Sequence, residues 1–302
     1  MEHAGAPRLR TWQLFAACVG IWGTTWHVIT WQLGATAPEL AVGLRFGLAG
    51  VLVLAWRATC GDAFGHGRRA HALFALQGVF MYSLSYICVY HAEHHLPSGL
   101  VAIGYSASPL INGLAARALW GVRLPPRFLA GGALGVAGVA LIFAPEFGRA
   151  GAGAAAALGV GFTVASVALS CTGSLTASRN RARGLPMWPA LGWGMLYGGL
   201  ASLLLALATG GPAALRAPAP GQAPLWWLAL LYLALAGSVL TFAAFLTLQD
   251  RVGPGPASAV GVAAPVLAVL VSVALEGYRP GWSTAAGVAL AVWGNAWMLF
   301  RR

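Results

Sequence analysis

Two long segments of the chain repeat each other. Residues 99–140 read GLVAIGYSASPLINGLAARALWGVRLPPRFLAGGALGVAGVA, and residues 255–296 read GPASAVGVAAPVLAVLVSVALEGYRPGWSTAAGVALAVWGNA. They align without a gap at a shift of 156 residues, with 15 of 42 positions identical, where chance in a composition this rich in Ala, Leu and Gly gives roughly five. Pro109 falls on Pro265, and Gly121 falls on Gly277. The chain therefore contains an internal repeat.

The composition extends this interpretation to the whole chain. Of its 302 residues 59% are hydrophobic and only 8% are charged, whereas soluble domains carry about a quarter of charged residues. This excludes a water-soluble globule and a disordered chain. Apolar runs of membrane-spanning length predict an all-α, polytopic membrane protein with ten transmembrane helices. The predicted spans lie near 12–33, 39–56, 72–92, 97–120, 127–144, 153–178, 187–209, 225–248, 256–275 and 281–300.

The repeat divides these spans into two units of five, at residues 1–150 and 151–302. Because five is odd, the second unit enters the membrane upside down relative to the first. Two inverted five-helix repeats are typical of secondary transporters, whose substrate site lies between the halves near the midplane of the bilayer.

Arginine predicts the orientation. The chain has 18 Arg, no Lys and a net charge of +11, and basic residues collect in cytoplasmic loops. With a cytoplasmic N-terminus, 13 arginines fall in inside segments and 3 in outside segments, while Arg45 and Arg117 lie within spans. Both termini of this multi-pass chain are therefore predicted to be cytoplasmic. Since the arginines punctuate apolar runs and do not line one soluble face, no nucleic-acid partner is expected.

Short motifs add a family resemblance. The three motifs are Trp22-Gly23 in span 1, Arg45 within LRFGL of span 2, and LQDRVGP at 248–254. In these motifs and in its two five-span halves, the chain resembles the drug/metabolite transporter superfamily of the EamA type. Within it the chain is most similar to the bacterial amino-acid exporters. The resemblance covers nearly the whole chain and implies a ten-helix inner-membrane carrier. In that family a Glu commonly ends both span 4 and span 9; here Glu276 ends span 9, but Trp120 stands at the equivalent place in the first half.

One histidine-rich motif raises the question of a metal enzyme. Residues 91–95 read HAEHH, an H-x-x-H-H pattern shared with membrane di-iron desaturases, but the other four histidines are scattered singly and cannot complete two metal shells. The four cysteines form no CxxC pair, and the spans lack H-E-x-x-H and G-x-S-x-G motifs. We expect no enzyme, no cofactor and no resident metal. The motif is interpreted as a wet rim cluster at the end of span 3, with an adventitious metal as the alternative.

Polar and aromatic side chains within the spans predict a binding pocket. Polar groups at this depth should face a cavity or a neighbouring helix and not lipid, and tyrosines spaced by four residues share one face of span 3. The candidate substrate-binding residues are Trp22, His27, Tyr82, Tyr86, Tyr105, Ser106, Ser166 and Ser170. For the serines, a hydrogen bond to their own helix remains an alternative; for the tyrosines and His27 the alternative is ordinary helix packing.

Four further residues are predicted to be structural or hinge residues. Pro109 and Pro265 kink corresponding spans of the two halves, which points to a central cavity, although kinks also serve helix packing. Glu276 is the single remaining copy of the family's acid. A charge such as Arg45 inside a span is either paired structurally or contacts substrate, for example a carboxylate.

These patterns predict a secondary transporter that moves a small metabolite out of the cell by alternating access. Aromatic walls with a few hydroxyls favour neutral or aromatic amino acids; a carrier of another metabolite, such as a nucleotide-sugar or a drug-like compound, and a facilitative channel remain alternatives. We expect a monomer whose partners are the solute and the lipid bilayer. Since no acid falls at mid-span, both proton coupling through His27 and simple facilitated efflux stay open.

Overall fold

The computed structural model describes residues 9–61, 65–148, 153–252, 257 and 259–299. These residues form helices and connections without any strand, which confirms the predicted all-α class. The predicted boundary between residues 150 and 151 lies outside the described residues. The helices are α1 Thr11–Thr30, α2 Pro38–Thr59, α3 Arg68–Glu93, α4 Ser98–Trp120, α5 Pro126–Gly148, α6 Gly153–Ala182, α7 Met187–Gly210, α8 in the consecutive pieces Ala223–Ala234, Leu235–Leu240 and Thr241–Val252, α9 Val260–Leu275 and α10 Trp282–Leu299.

Seven segments of the described chain are long and apolar enough to cross a membrane. They lie in α2 to α8, and α9 is a shorter apolar helix of 16 residues. Glycine ends two helices at equivalent places: Gly121 after α4 and Gly277 after α9 adopt φ values of 68° and 67°. A left-handed residue stops a helix cleanly, and glycine accepts this conformation without steric cost.

The repeat extends into helices whose sequences have diverged. A π-helical turn interrupts α3 at Val79–Leu84, and another interrupts α8 at Leu235–Leu240. The two turns are related by the same shift of 156 residues, although only their last residue, a leucine, is identical. Such turns widen a helix locally and frequently occur at functional sites. The geometry of the repeat has therefore been kept where most of its side chains have changed.

Helix pairing also obeys the repeat. The main pairs join α2 to α7 and α5 to α10, and each of these pairs maps onto itself when the halves are exchanged. The pairs of α1 with α9 and of α3 with α7 map onto the pairs of α6 with α4 and of α8 with α2. At the α5–α10 contact, a Cβ added to Gly138 would lie 2.6 Å from both the Ala291 nitrogen and the Gly287 oxygen. Glycine is needed there because the two backbones approach so closely.

The bundle has two chemically different ends. At the arginine-rich end, Arg57 lies over the Trp188 ring, Arg251 donates to the Leu9 carbonyl, and Arg181 contacts Met187. At the opposite end, here named the carboxylate end, lie Glu39, Glu93 and Glu276. The central cavity lies between these ends.

Candidate functional site

A cavity of about 440 Å³ lies between the two halves. Its size is within the range of about 300–1,000 Å³ that is usual for small-molecule sites. The residues that line it are Trp22, Thr25, Trp26, Ile29, Met81, Tyr82, Tyr86, Tyr105, Ser108, Pro109, Asn112, Ser170, Ser174, Phe242, Phe245, Gln249, Val260, Gly261, Ala264 and Pro265. We call this cavity the chamber.

Five of the eight predicted substrate-binding residues line the chamber: Trp22, Tyr82, Tyr86, Tyr105 and Ser170. Both predicted hinge prolines line it too, and Pro109 is the second residue of the helical piece Ser108–Trp120, which follows a short 3-10 turn at Tyr105–Ala107. Proline at the start of a helical piece leaves no backbone donor unpaired. The matched prolines thus lie where the two halves face the same space.

Aromatic rings build the walls. The Tyr105 ring packs edge-on to Trp26 with centroids 5.2 Å apart, and the Tyr82 ring packs edge-on to Phe242 at 5.8 Å. Trp22 contacts Phe242 and Phe245 and donates its indole N–H to the Gly237 carbonyl at 3.1 Å. Gly237 lies in the π-helical turn of α8, and an indole donor can satisfy a carbonyl that such a turn exposes.

Sequence analysis did not find Met81, Ser174, Phe242, Phe245 and Gln249 as lining residues. They lie on α3, α6 and α8. Most are apolar, and nothing in their spacing separates a chamber wall from ordinary helix packing. The shift of 156 residues pairs Tyr86 with Phe242 and could have marked that one position.

Three predicted residues lie outside the chamber lining. Ser166 is buried and donates to the carbonyl of Thr163 at 2.9 Å, so its hydroxyl is used within its own helix. Ser106 is buried against α10, where its backbone carbonyl accepts from the Asn295 amide at 3.1 Å. His27 contacts Glu276 at the carboxylate end. For Ser166 the alternative of a bond within its own helix matches the observed geometry.

Arg45 lies behind the chamber wall and is almost fully buried. Its Nε donates to Ser238 Oγ at 3.3 Å, and its guanidinium lies 4.9 Å from the Phe46 ring and 4.7 Å from the Tyr86 ring. These contacts join α2 to the π-helical turn of α8 and place the charge directly behind a lining tyrosine. Its Nη1 has no hydrogen-bond partner among the described residues, so one donor is left over for another group.

Hydrogen bonds join three helices at the carboxylate end. Glu276 Oε1 lies 2.9 Å from His27 Nδ1, and Glu276 Oε2 accepts from the Ser98 backbone N–H at 3.1 Å and from Ser272 Oγ at 3.0 Å. The Ser98 hydroxyl also donates to Glu276, and the Gly99 N–H donates to Ser272 Oγ at 2.8 Å. We call His27, Ser98, Ser272 and Glu276 the latch. It connects α1 and α9 to the N-terminus of α4.

The latch stabilises the ionised form of Glu276. Burial acts to raise the pKa of this carboxyl, but hydrogen bonds from Ser98, His27 and Ser272 outweigh it, and the pKa is lower than its ordinary value. Free N–H groups at a helix N-terminus favour a nearby negative charge. The predicted structural role of Glu276 therefore has a physical basis in these contacts.

The chamber continues toward the arginine-rich end of the bundle. A second cavity shares Met81, Tyr82 and Gln249 with the chamber and reaches Arg181 and Met187. Trp120, which stands where the first half would carry its own acid, is 46% exposed at this arginine-rich end. Glu276, which bridges helices at the carboxylate end, thus has no acidic counterpart at the equivalent position of the first half.

The histidine-rich motif is divided between two surroundings. His91 lies 3.5 Å from Glu39 and stacks on Phe162 with ring centroids 5.0 Å apart. Within the described part of the chain, no three His, Cys, Asp or Glu side chains are grouped closely enough to hold a metal. Glu93, in the middle of the motif, points into the protein and is 7% exposed, a feature that sequence analysis missed.

The EamA-like transporter family model matches residues 10–144 and 157–300. The chain belongs to the EamA-like transporter family. Protein PecM of Dickeya dadantii (strain 3937) is 30% identical over 267 residues, which cover 87% of this chain and 83% of PecM. The uncharacterized inner membrane transporter YedA of Escherichia coli (strain K12) is 29% identical over 266 residues, which cover 87% and 82%.

A solved crystal structure shares the fold, with a TM-score of 0.67 at 20% identity over 95% of this chain and 96% of the other. The EamA-like match confirms the family predicted from the sequence. The protein is therefore a membrane transporter of the drug/metabolite superfamily, a family of transporters and not of enzymes, and it acts on a small molecule within a lipid bilayer.

Proposed function

We propose that this EamA-like protein is a ten-helix carrier of two inverted repeats, residues 1–150 and 151–302, that exports neutral or aromatic amino acids by alternating access. The observation that carries the proposal is the chamber between the halves, which continues toward one end of the bundle and is bridged by hydrogen bonds at the other. A carrier needs a site reached from one side at a time. We further propose that one copy of the chain suffices.

The arginines support an orientation. Arg57, Arg181 and Arg251 lie at the same end of the bundle, and basic residues are retained on the cytoplasmic side. With this end in the cytoplasm, both termini are cytoplasmic, all ten helices cross the inner membrane, and the chamber faces inward. An inward-facing chamber is where an exporter collects its solute.

The chamber wall supports a solute without net charge. No charged side chain is among the described residues that line it, and five of them are Trp or Tyr. Aromatic faces bind apolar groups, while Ser170, Asn112 and Gln249 offer donors and acceptors for a polar head. Arg45, with one unpaired donor behind Tyr86, lies near enough to favour a carboxylate at that wall.

The same wall disfavours phosphorylated solutes. A nucleotide-sugar needs cations at its phosphates, and the lining offers none among the described residues. An uncharged drug-like compound fits the aromatic surface better, so it is the second candidate. Saturable exchange separates either carrier from a facilitative channel.

A counterflow assay tests the proposal. Purified protein in liposomes preloaded with one unlabelled amino acid should accumulate the same labelled amino acid, with saturation. Tyr86→Ala removes an aromatic wall and should reduce the initial rate at least tenfold. The matched control is Trp293→Ala, which removes an aromatic ring that is 69% exposed on α10 and should leave the rate within about twofold of the unmodified protein. Linear flux without exchange would contradict the carrier, and equal losses in both variants would contradict the chamber.

A further inference from the structure

Glu93 is a buried acid that the proposed transport site does not use. It ends α3, is 7% exposed, and neither carboxylate oxygen has a hydrogen-bond partner among the described residues. An ionised carboxylate in such a place loses its hydration and gains nothing in exchange. Buried groups in this position therefore tend to take up a proton and become neutral.

The surroundings of Glu93 form a third cavity, of about 520 Å³, at the carboxylate end. Glu93 lines it together with Glu276, Ser98 and Thr30. Glu93 thus borders the space beside the latch, while its two carboxylate oxygens are shielded from solvent.

Charged and titratable groups approach Glu93 from several elements. Arg45 comes from α2 and Tyr90 from α3, and Glu276, Tyr278 and Arg279 follow α9. His27 of α1 contacts Glu276, Glu39 of α2 contacts His91, and His91, His94 and His95 belong to the motif of Glu93 itself. The charges of Glu276 and Arg45 act on it most strongly, and with opposite sign. Glu276 is held in its ionised form by the latch, so a second negative charge on the buried Glu93 beside it is unfavourable.

We propose that Glu93 is a proton-binding site, and that the carboxylate end closes only when Glu93 carries a proton. The inference rests on the proposed carrier and assigns its coupling ion. In the closed latch, Glu276 holds the negative charge and Glu93 is the neutral acid. When α1 and α9 separate from α4, water enters, Glu93 is hydrated, and its O–H bond releases a proton to the solvent.

Proton binding fits these residues better than metal binding. Both oxygens of Glu276 already accept hydrogen bonds from hydroxyl or N–H donors, so they are not free ligands for a metal ion. Only the two oxygens of Glu93 are unoccupied among these acids. A single free carboxyl suits one proton, whereas alkali and alkaline-earth cations take several oxygen ligands.

Thermodynamic linkage gives the expected direction. If closing takes up one proton, the ratio of closed to open protein falls by up to about tenfold for each unit of rising pH. Acid therefore favours the conformation whose chamber faces the arginine-rich end. Alkaline solution favours opening at the carboxylate end.

Labelling of the cavity tests the site without any solute. Thr30→Cys is introduced into protein whose native cysteines are replaced by serine, and it is treated with an impermeant maleimide over a range of pH. Because any thiol reacts faster as pH rises, the labelling rate is divided by that of Arg216→Cys, a variant with an exposed cysteine. Labelling should rise with pH, should stay low and flat in Glu93→Gln, and should keep its slope in Glu93→Asp. Glu146→Gln, which changes another buried acid outside this cavity, should behave like the unmodified background.

Infrared spectroscopy gives a second measurement on the full protein in liposomes. A protonated carboxylic acid absorbs apart from carboxylates, and this band should be present at neutral pH, disappear in Glu93→Gln and persist in Glu146→Gln. Unchanged pH dependence in Glu93→Gln, the absence of the band, or closure by sodium at constant pH would overturn the proposal. Failure of counterflow in the unmodified protein would overturn the carrier instead, so the two failures can be told apart.

Discussion

Single residues distinguish the two ends of this transporter. Glu276 accepts hydrogen bonds that connect α1, α4 and α9, while Trp120 takes the equivalent position in the first half and is largely exposed. The repeat supplies the same place twice, but only one copy carries an acid. This difference explains why the bridge joins helices at one end.

Glu276→Gln keeps the size of the side chain and removes its charge. Hydrogen bonds to charged groups contribute about 1.5–3 kcal/mol, so the latch should weaken by at least about tenfold in its closed-to-open ratio. Maleimide labelling of Thr30→Cys at neutral pH should increase accordingly. Glu146→Gln is the control and should leave labelling unchanged. If Glu276→Gln were labelled no faster than protein that retains Glu276, the role of the latch would be contradicted.

The pH dependence of the latch follows from the lowered pKa of Glu276. A carboxyl whose pKa is lower in the closed form contributes stability above its ordinary pKa, and this contribution is lost as pH falls through the lowered value. The contribution of Glu276 should therefore be constant around neutral pH and disappear only in acid. The proposed proton release from Glu93 favours opening as pH rises, so the two groups act in opposite directions on the closed form.

At the scale of helices, π-helical turns and close glycine contacts preserve the repeat. The turns in α3 and α8 occupy equivalent positions, and the α5–α10 contact depends on glycines from both helices. Glycines at a helix contact let the two backbones approach closely. Helix association in a membrane is stabilised by such packing and not by the exclusion of water.

Gly138→Ala should destabilise the α5–α10 pair, because the added Cβ would lie 2.6 Å from the backbone of α10. We expect a loss of about 1–3 kcal/mol, as for other overpacked contacts, measured as a lower melting temperature in detergent. Gly20→Ala is the matched control, since a Cβ at Gly20 meets nothing within 4 Å. Equal melting temperatures for the two variants would argue against close contact of α5 and α10.

Sequence alone predicted the helical class, the repeat and the family. The lengths of the apolar runs and the similarity at a shift of 156 residues can both be read directly from the amino-acid sequence. It also placed Tyr82, Tyr86 and Tyr105, which line the chamber. It could not show that Ser166 bonds to its own helix or that Ser106 lies against α10, since neither follows from spacing. The latch joins Glu276 to Ser98, which is 178 positions away in the sequence, and to His27, which is 249 positions away. The inward direction of Glu93 could not be predicted, because this residue lies within a motif that resembles a metal-binding sequence.

At the scale of the whole molecule, an exchange of halves leaves the helix pairing unchanged, and the chamber lies between those halves. A pseudo-symmetric bundle has two nearly equivalent arrangements, one open at each end. Because the acid of the latch occurs at one end only, the two arrangements should differ in stability. The described conformation is the one in which the carboxylate end is bridged.

Sided labelling of single cysteines tests this arrangement most directly. Ser174→Cys in the chamber, Arg181→Cys and Arg251→Cys at the arginine-rich end, and Arg279→Cys beyond α9 are placed one at a time in protein without native cysteines. An impermeant maleimide should reach the first three from the cytoplasmic face of inverted vesicles and Arg279→Cys from the outer face of intact cells. Labelling of Arg181→Cys and Arg251→Cys from opposite faces, or no labelling of Ser174→Cys from either face, would contradict two inverted repeats around a chamber.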